Sequence, residues 1–459
     1  MNDLNKPKGS GLALIPFVIF LAVFLGTGII LQSQDVDMAF YQLPAPVAAL
    51  VAIIVAFIMF KGSMDEKFDA FIKGCGDDNI IIMCIIYILA GAFSGVSGAM
   101  GGVESTVNFA LSIIPPQYIT AGIFIISCFI SLSTGTSVGT VVAVGPIAVG
   151  LADKGGLNLA LVIAALLGGA MFGDNLSVIS DTTIAATRTQ NVDMRDKFRM
   201  NFKMALPAAI ITAILLLIFG RPVNVVAAEE YSYNIIKMLP YILVLVTALV
   251  GVNVFVVLTI GILTSGIIGM LFGDFGLLQF GQEVYNGFTG MFEIFLLSML
   301  IGGLAALVNK EGGIQWILDK VRGMIKGRKS AEIGIAALVS LVDAATANNT
   351  VAIIISGPIA KEISTEFEVD PRRSASLLDS FSCVFQGLIP YGAQMLIAIG
   401  FTAGAVSPLE VIPLLWYQLL LAVIAIISIY IPFTDGAINK DPWNYEHDLP
   451  MSKVAQKTE

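Results

Sequence analysis

Long apolar runs alternate with short polar ones over most of this chain. Several exceed the roughly 18 residues that carry a helix across a bilayer; residues 11–31 (GLALIPFVIFLAVFLGTGIIL) and 411–433 are two of them. No small-residue cleavage pattern follows the first, so a retained spanning helix is expected and not a signal peptide. Two stretches depart from the spanning pattern. In each, apolar arms of about 15 residues flank a polar tip, STGTS at Ser133 and TANNT at Thr346. Arms that short fit a re-entrant hairpin better than two crossings of a hydrocarbon core about 30 Å thick. Behind the first hairpin, GDNLSVISDTT (173–183) follows the apolar run LNLALVIAALLGGAMF. The glycines of GGAMFGDN and Pro390 in GLIPYG mark helices interrupted midway.

The pattern also repeats. SLSTGTSVGTVVAVGPIA at 131–148 aligns with DAATANNTVAIIISGPIA at 343–360, a shift of 212 positions. GGVES at Gly101 falls on GGIQW at Gly312, one residue off that shift, and the last helix of the first half, 203–220, falls on 415–432. Several landmarks at one spacing indicate a duplication. Residues 1–220 form the first copy, 221–433 the second, and 434–459 a polar tail. Each copy reads as two full helices (11–31 and 44–60; 235–250 and 254–272) and a third (80–100; 284–308). A glycine pair with an amphipathic stretch, a hairpin, an interrupted helix and a closing helix complete it. In IQWILDKVRGMIKG, Ile314, Ile317, Val321 and Ile325 share one face, as in an interfacial helix.

The expected fold is therefore an all-α polytopic membrane protein of two repeats with about five transmembrane helices each. An odd number of spans per copy makes the repeats inverted. Loop charges agree: Lys6, Lys8, Lys61, Lys67, Lys73, the group from Arg188 to Lys203, the cluster from Lys310 to Lys329, and Lys361, Arg372 and Arg373 fall on one side. The positive-inside rule makes that side cytoplasmic, with Lys154, Arg221 and Lys237 as exceptions. Both termini are then cytoplasmic, in the plasma (inner) membrane of the cell.

Composition narrows the partners. Only 13 % of the residues are charged and 56 % are hydrophobic, whereas about a quarter of a soluble globular chain is charged; the lipid bilayer is the first partner. The net charge of −9 is spread over loops and tail without a basic domain, which argues against a nucleic acid. Cys75, Cys84, Cys128 and Cys383 show no metal spacing. His447 is the only histidine and sits in the tail, so no histidine relay runs through the membrane. GMIKGRKS at Gly323 fails the Walker A pattern. The chain reads as neither an ATPase nor any other enzyme, and no cofactor is expected.

Inverted repeats with broken helices are the usual build of a secondary transporter, with the site at the repeat interface. A channel needs no alternating access and does not explain them. Ionisable residues in the expected spans are nearly all acids, costly at a helix centre by roughly 2.5–3.5 kcal/mol each and so functional by default. Asp174 and Asp181 flank the first break, Asp343 precedes the second tip and Asp379 lies on the second interrupted helix. Glu104, near a turn, and Glu293, near a helix end, are weaker candidates. Further oxygens come from Thr134, Thr136, Ser137, Asn175, Ser177, Ser180 and Thr182 in the first copy and Thr346, Asn348, Asn349 and Thr350 in the second. No Arg or Lys falls clearly within a span. Carboxylates among hydroxyls and amides suit a hard cation such as Na⁺, and crowded carboxylates share protons, so H⁺ competes for the same oxygens. Asp174 and Asp181 are the expected Na⁺ ligands, with Asp343 assisting. A zwitterion is the alternative cargo, its ammonium meeting an Asp and its carboxylate a hairpin helix N-terminus; the carrier would then couple an amino acid or small organic acid to Na⁺ or H⁺.

At GDNLSVISDTT, with SLSTGTSVGT upstream, the sequence resembles the NhaC-type sodium/proton antiporter family. Asp174, Ser177, Ser180, Asp181, Thr182 and Thr183 match that family's GDxxSxxSDTT segment. Ser131, Thr134, Gly135, Thr136, Ser137, Gly139 and Thr140 match its SxxTGTSxGT segment. The resemblance implies paired hairpins in a mobile transport domain, a scaffold domain, elevator-type movement and often a homodimer. Family members commonly read GDKMSPLSDTTN; here Asn175 replaces Lys, Val178 replaces Pro and Ile184 replaces Asn. The second copy, ATANNTVAIIISGPIAKEI, looks more like a branch of amino-acid permeases, which leaves the cargo open between Na⁺/H⁺ and an organic solute.

Overall fold

The computed structural model describes residues 8–34, 36, 42–177, 180–222, 232–250 and 252–458. Nearly all of them are helical. The first half runs α1 (Ile15–Gln32), α2 (Ala45–Met59), α3 (Met64–Cys75), α4 (Asp78–Ala99), α5 (Gly102–Ile113), α6 (Ile119–Thr134), α7 (Ser137–Lys154), α8 (Leu159–Leu176), α9 (Asp181–Gln190) and α10 (Met194–Phe219). The second runs α11 (Ile235–Leu249), α12 (Val254–Phe272), α13 (Leu277–Gly290), α14 (Phe292–Lys310), α15 (Gly313–Met324), α16 (Arg328–Thr346), α17 (Asn349–Glu366), α18 (Pro371–Leu388), α19 (Ala393–Gly400), a short α20 (Pro408–Val411) and α21 (Trp416–Tyr430). Among the described residues nine helical segments are long and apolar enough to cross a membrane, or ten if the bent stretch from Pro408 to Tyr430 counts as one. The chain is an integral, multi-pass membrane protein.

Local chemistry recurs at the spacing seen in the sequence. Gly135 and Ala347 end the first arm of each hairpin with left-handed backbone, at φ 69° and 52°. Thr136 and Asn348 follow as N-caps, accepting from the backbone N–H of Gly139 and Val351. Each second arm carries an internal proline, Pro146 or Pro358. Asn158 caps α8 and Asp370 caps α18, and both helices run 18 residues before breaking. Gly101 and Gly312, at φ 74° and 81°, open the amphipathic α5 and α15.

One expected helix is two. The run 284–308 divides at Met291 into α13 and α14. The first half has the matching amphipathic element in α3, which the apolar pattern also passed over. Packing pairs the halves crosswise, α14 against α2 and α3, and α4 against α12 and α13. Glycines make the second contact possible: a Cβ on Gly91 or Gly287 would strike the other's backbone. Small residues at helix contacts allow the close approach that holds membrane helices together where water provides no driving force.

The two interrupted helices lie deepest. Of the residues of α8, only Leu159 and Phe172 are not buried, and α18 is buried from Pro371 through Val384. Gly169 and Gly173 press α8 onto α6, since a Cβ there would meet Phe124 and Ser127, or Ser131 and Leu132. This fixes the end of α8 beside the tip of the first hairpin. The tail folds as α22 (Gly436–Lys440), a ribbon of β1 (Trp443–Asn444) and β2 (Leu449–Pro450), and α23 (Met451–Thr458). Lys361 of α17 bonds Asp448 at 2.5 Å, and Arg372 of α18 donates to the Asp441 carbonyl at 2.6 Å. Both cations also lie over the Trp443 ring.

Candidate cation site

Asp174 is the third-to-last residue of α8 and is buried, 5 % exposed. Ser137, the first residue of α7, donates its hydroxyl to Oδ2 at 2.8 Å. Ser180 donates to Oδ1 from the far side of the break. Asn349, the first residue of α17, reaches Oδ2 through its amide at 3.5 Å. One carboxylate thus receives both hairpin tips and the restart of its own helix. Gln394 of α19 donates to the Ser137 hydroxyl at 3.0 Å and accepts from Gln386 of α18 at 2.8 Å. The second break therefore reaches the same carboxylate through a chain of amides. Thr182 bonds the Ser180 hydroxyl at 2.8 Å.

The remaining polar tip residues hold the backbone. Thr134 Oγ1 accepts from the Thr136 N–H at 3.3 Å, and Thr346 donates to the Val342 carbonyl at 2.9 Å. Thr136 and Asn348 are the caps already described. Thr350, partly buried, gives its N–H to Asn349 Oδ1 at 3.0 Å. Ser177 closes α8, and its carbonyl accepts from the Thr183 hydroxyl at 2.7 Å.

Asp343 is fully buried in α16, and neither carboxylate oxygen has a hydrogen-bond partner among the described residues. A charge there would be unpaired, so the side chain requires a proton or a cation. Asp343 is thus a lone buried carboxylate, whereas Asp174 is hydrogen-bonded on both oxygens.

Three expectations need correction. Asp181 does not join the cluster: it opens α9 with an exposed side chain, where its charge complements the helix N-terminus. Asp379 is not an open ligand, because Lys197 of α10 pairs with its Oδ2 at 2.6 Å. Lys197 itself belongs to a helix and not to a loop, and it is 0 % exposed. Its ammonium also donates at 2.6 Å to the Asn175 carbonyl and at 2.6 Å to the Thr183 hydroxyl. Asn175 and Asn201 add amide donors to Asp379 Oδ2 at 3.1 and 2.8 Å. Arg373 is another buried cation, held by Glu332 at 2.9 Å. Burial spacing was the available signal: Lys197, Asn201, Met204, Ala205 and Ala208 form the inner stripe of α10, while Arg195, Arg199 and Lys203 are exposed. The weaker acids stay apart, Glu104 in an exposed pair with Lys154 at 2.7 Å and Glu293 exposed at the start of α14.

No three His, Cys, Asp or Glu side chains converge among the described residues. The donor set around Asp174 is one carboxylate with hydroxyls and amides, which suits a hard monovalent cation or a proton. Similar proteins are antiporters of inorganic ions and of organic solutes. A malate-2H⁺/Na⁺-lactate antiporter of Bacillus subtilis is 25 % identical over 94 % of this chain and 96 % of its own length. The Na⁺/H⁺ antiporter NhaC of the same organism is 27 % identical over 78 % and 84 %. An arginine/ornithine antiporter of Halobacterium salinarum is 23 % identical over 89 % and 92 %. The profile of the Na⁺/H⁺ antiporter family matches residues 13–221 and 226–433, almost the whole membrane part. With that match and the buried oxygen site between the two hairpins, the chain belongs to the Na⁺/H⁺ antiporter family.

Proposed function

We propose that this chain exchanges Na⁺ for H⁺ at Asp174 by alternating access. The observation that carries the reading is the meeting of both hairpin tips on one buried carboxylate. A proton or Na⁺ on Asp174 neutralises its charge, so either form lets the buried site move across the membrane; the bare anion is the costly species. That difference couples the two fluxes. Asp343, a separate buried carboxylate, carries a proton and assists. The two halves are inverted repeats. The hairpins and broken helices form the moving body of an elevator, and α1–α4 with α11–α14 form the scaffold, in a homodimer of the inner membrane with both termini in the cytoplasm.

A coupled carrier of an amino acid or small organic acid is the second reading. Lys197 favours it as a buried cation that a carboxylate cargo would seek. That ammonium, however, is already engaged by three oxygens, so the exchange reading leads. The test is a proteoliposome with an imposed pH gradient and no organic solute. Adding Na⁺ or Li⁺ is expected to dissipate the gradient. No response to Na⁺, Li⁺ or K⁺, together with Na⁺-dependent uptake of a labelled amino acid, overturns the exchange reading.

A further inference from the structure

Lys197 occupies a place with the chemistry of a second cation site. Its ammonium touches a carboxylate oxygen (Asp379 Oδ2), a backbone carbonyl (Asn175) and a hydroxyl (Thr183), each at 2.6 Å. These are the oxygen types that bind hard cations. The carbonyl belongs to the last turn of α8, where helix interruption leaves oxygens without intrahelical partners. Two more acceptors on the same residues, Asp379 Oδ1 and Asn175 Oδ1, are buried and have no hydrogen-bond partner among the described residues. The set therefore offers more oxygen than the ammonium uses. The amides of Asn175 and Asn201 hold Asp379 in place from the side.

We propose that these oxygens form a second Na⁺ site that the tethered Lys197 ammonium fills. The amine is a resident cation: it is carried by α10, whose inner stripe fixes it, and it cannot leave with the cargo. It keeps Asp379 neutralised throughout the cycle. The chain is thus limited to one exchangeable cation, at Asp174. This rests on the exchange reading, since the count of one presumes Na⁺ at Asp174.

Equilibrium binding of ²²Na⁺ to the purified full-length protein tests the proposal. The native chain is expected to bind one Na⁺, Lys197→Ala two, and Lys197→Ala/Asp379→Asn one again. Lys197→Ala that is monodisperse and binds no more than the native chain overturns the proposal. Where Lys197→Ala depends on the ion for folding, recovery in Na⁺ but not in choline supports the filled cage. Failure to recover it in Na⁺ overturns the cage. If the native chain binds none, the exchange reading fails instead, and a gain of one Na⁺ in Lys197→Ala still upholds the cage.

Discussion

Replacing Asp174 with asparagine removes one negative charge and little else. The amide keeps an acceptor oxygen, and the Ser137 and Ser180 hydroxyls can turn to accept as well as donate. The fold is therefore expected to lose only the difference between charged and neutral hydrogen bonds, about 1–3 kcal/mol. Binding loses far more. A unit charge facing a monovalent cation at about 4 Å, in an effective dielectric of about 20, contributes about 4 kcal/mol. At about 1.4 kcal/mol per decade, its removal weakens Na⁺ binding roughly a thousandfold. The assay is the Na⁺ concentration giving half-maximal lumenal alkalinisation in acid-loaded proteoliposomes. In the Asp174→Asn variant no response is expected at any Na⁺ concentration that saturates the native protein. An unchanged half-maximal concentration, or a shift of less than about tenfold, refutes the assignment of Asp174 as the cation ligand.

The partners of Asp174 should matter in order of their geometry. Ser137→Ala removes a hydroxyl oxygen 2.8 Å from the carboxylate, which can turn to accept and so ligate the cation, and should raise half-saturation by Na⁺ about tenfold. Asn349→Ala removes only a 3.5 Å contact and should raise it less; the reverse order in the same flux assay contradicts the site. Gly173→Ala drives a methyl into Ser131 and Leu132, an overpacking cost of about 1–3 kcal/mol that should lower the unfolding midpoint in detergent. Glu332→Gln strands the buried Arg373 charge and should cost about 3–5 kcal/mol, while Glu332→Leu/Arg373→Met should recover most of it in a thermal-shift measurement.

Much of this architecture was legible because its determinants are local. A polar tip between apolar arms, a cap at Thr136 or Asn348 and glycines at 101 and 312 each act over a few residues, so their recurrence at one spacing can be read from the sequence. The break at Met291 was passed over, although 284–290 (VYNGFTG) carries two glycines, an asparagine and a threonine before the apolar run resumes; Gly287 packs there on Gly91. Within the site, Asp174, Ser137, Ser180 and Asn349 meet through tertiary contacts that follow from the pairing of the hairpins. Asp181 and Asp379 misled for opposite reasons. Asp181 shares the polar motif but lies on the exposed side of the first turn of α9. Asp379 looked unpaired because its partner, Lys197, sits among loop charges that the positive-inside rule assigns to the cytoplasm. The helix face, and not the local charge density, decides that lysine's place.

On the proposed exchange, Na⁺ and H⁺ compete for one carboxylate. Competition has a direct signature in equilibrium ²²Na⁺ binding to the detergent-purified protein across a pH series. As pH falls and Asp174 becomes protonated, the apparent Na⁺ affinity should fall by up to about tenfold per pH unit while the number of sites stays constant; Na⁺ added to a weakly buffered sample should release protons. An apparent affinity that does not change with pH, with no proton release on Na⁺ binding, contradicts the account.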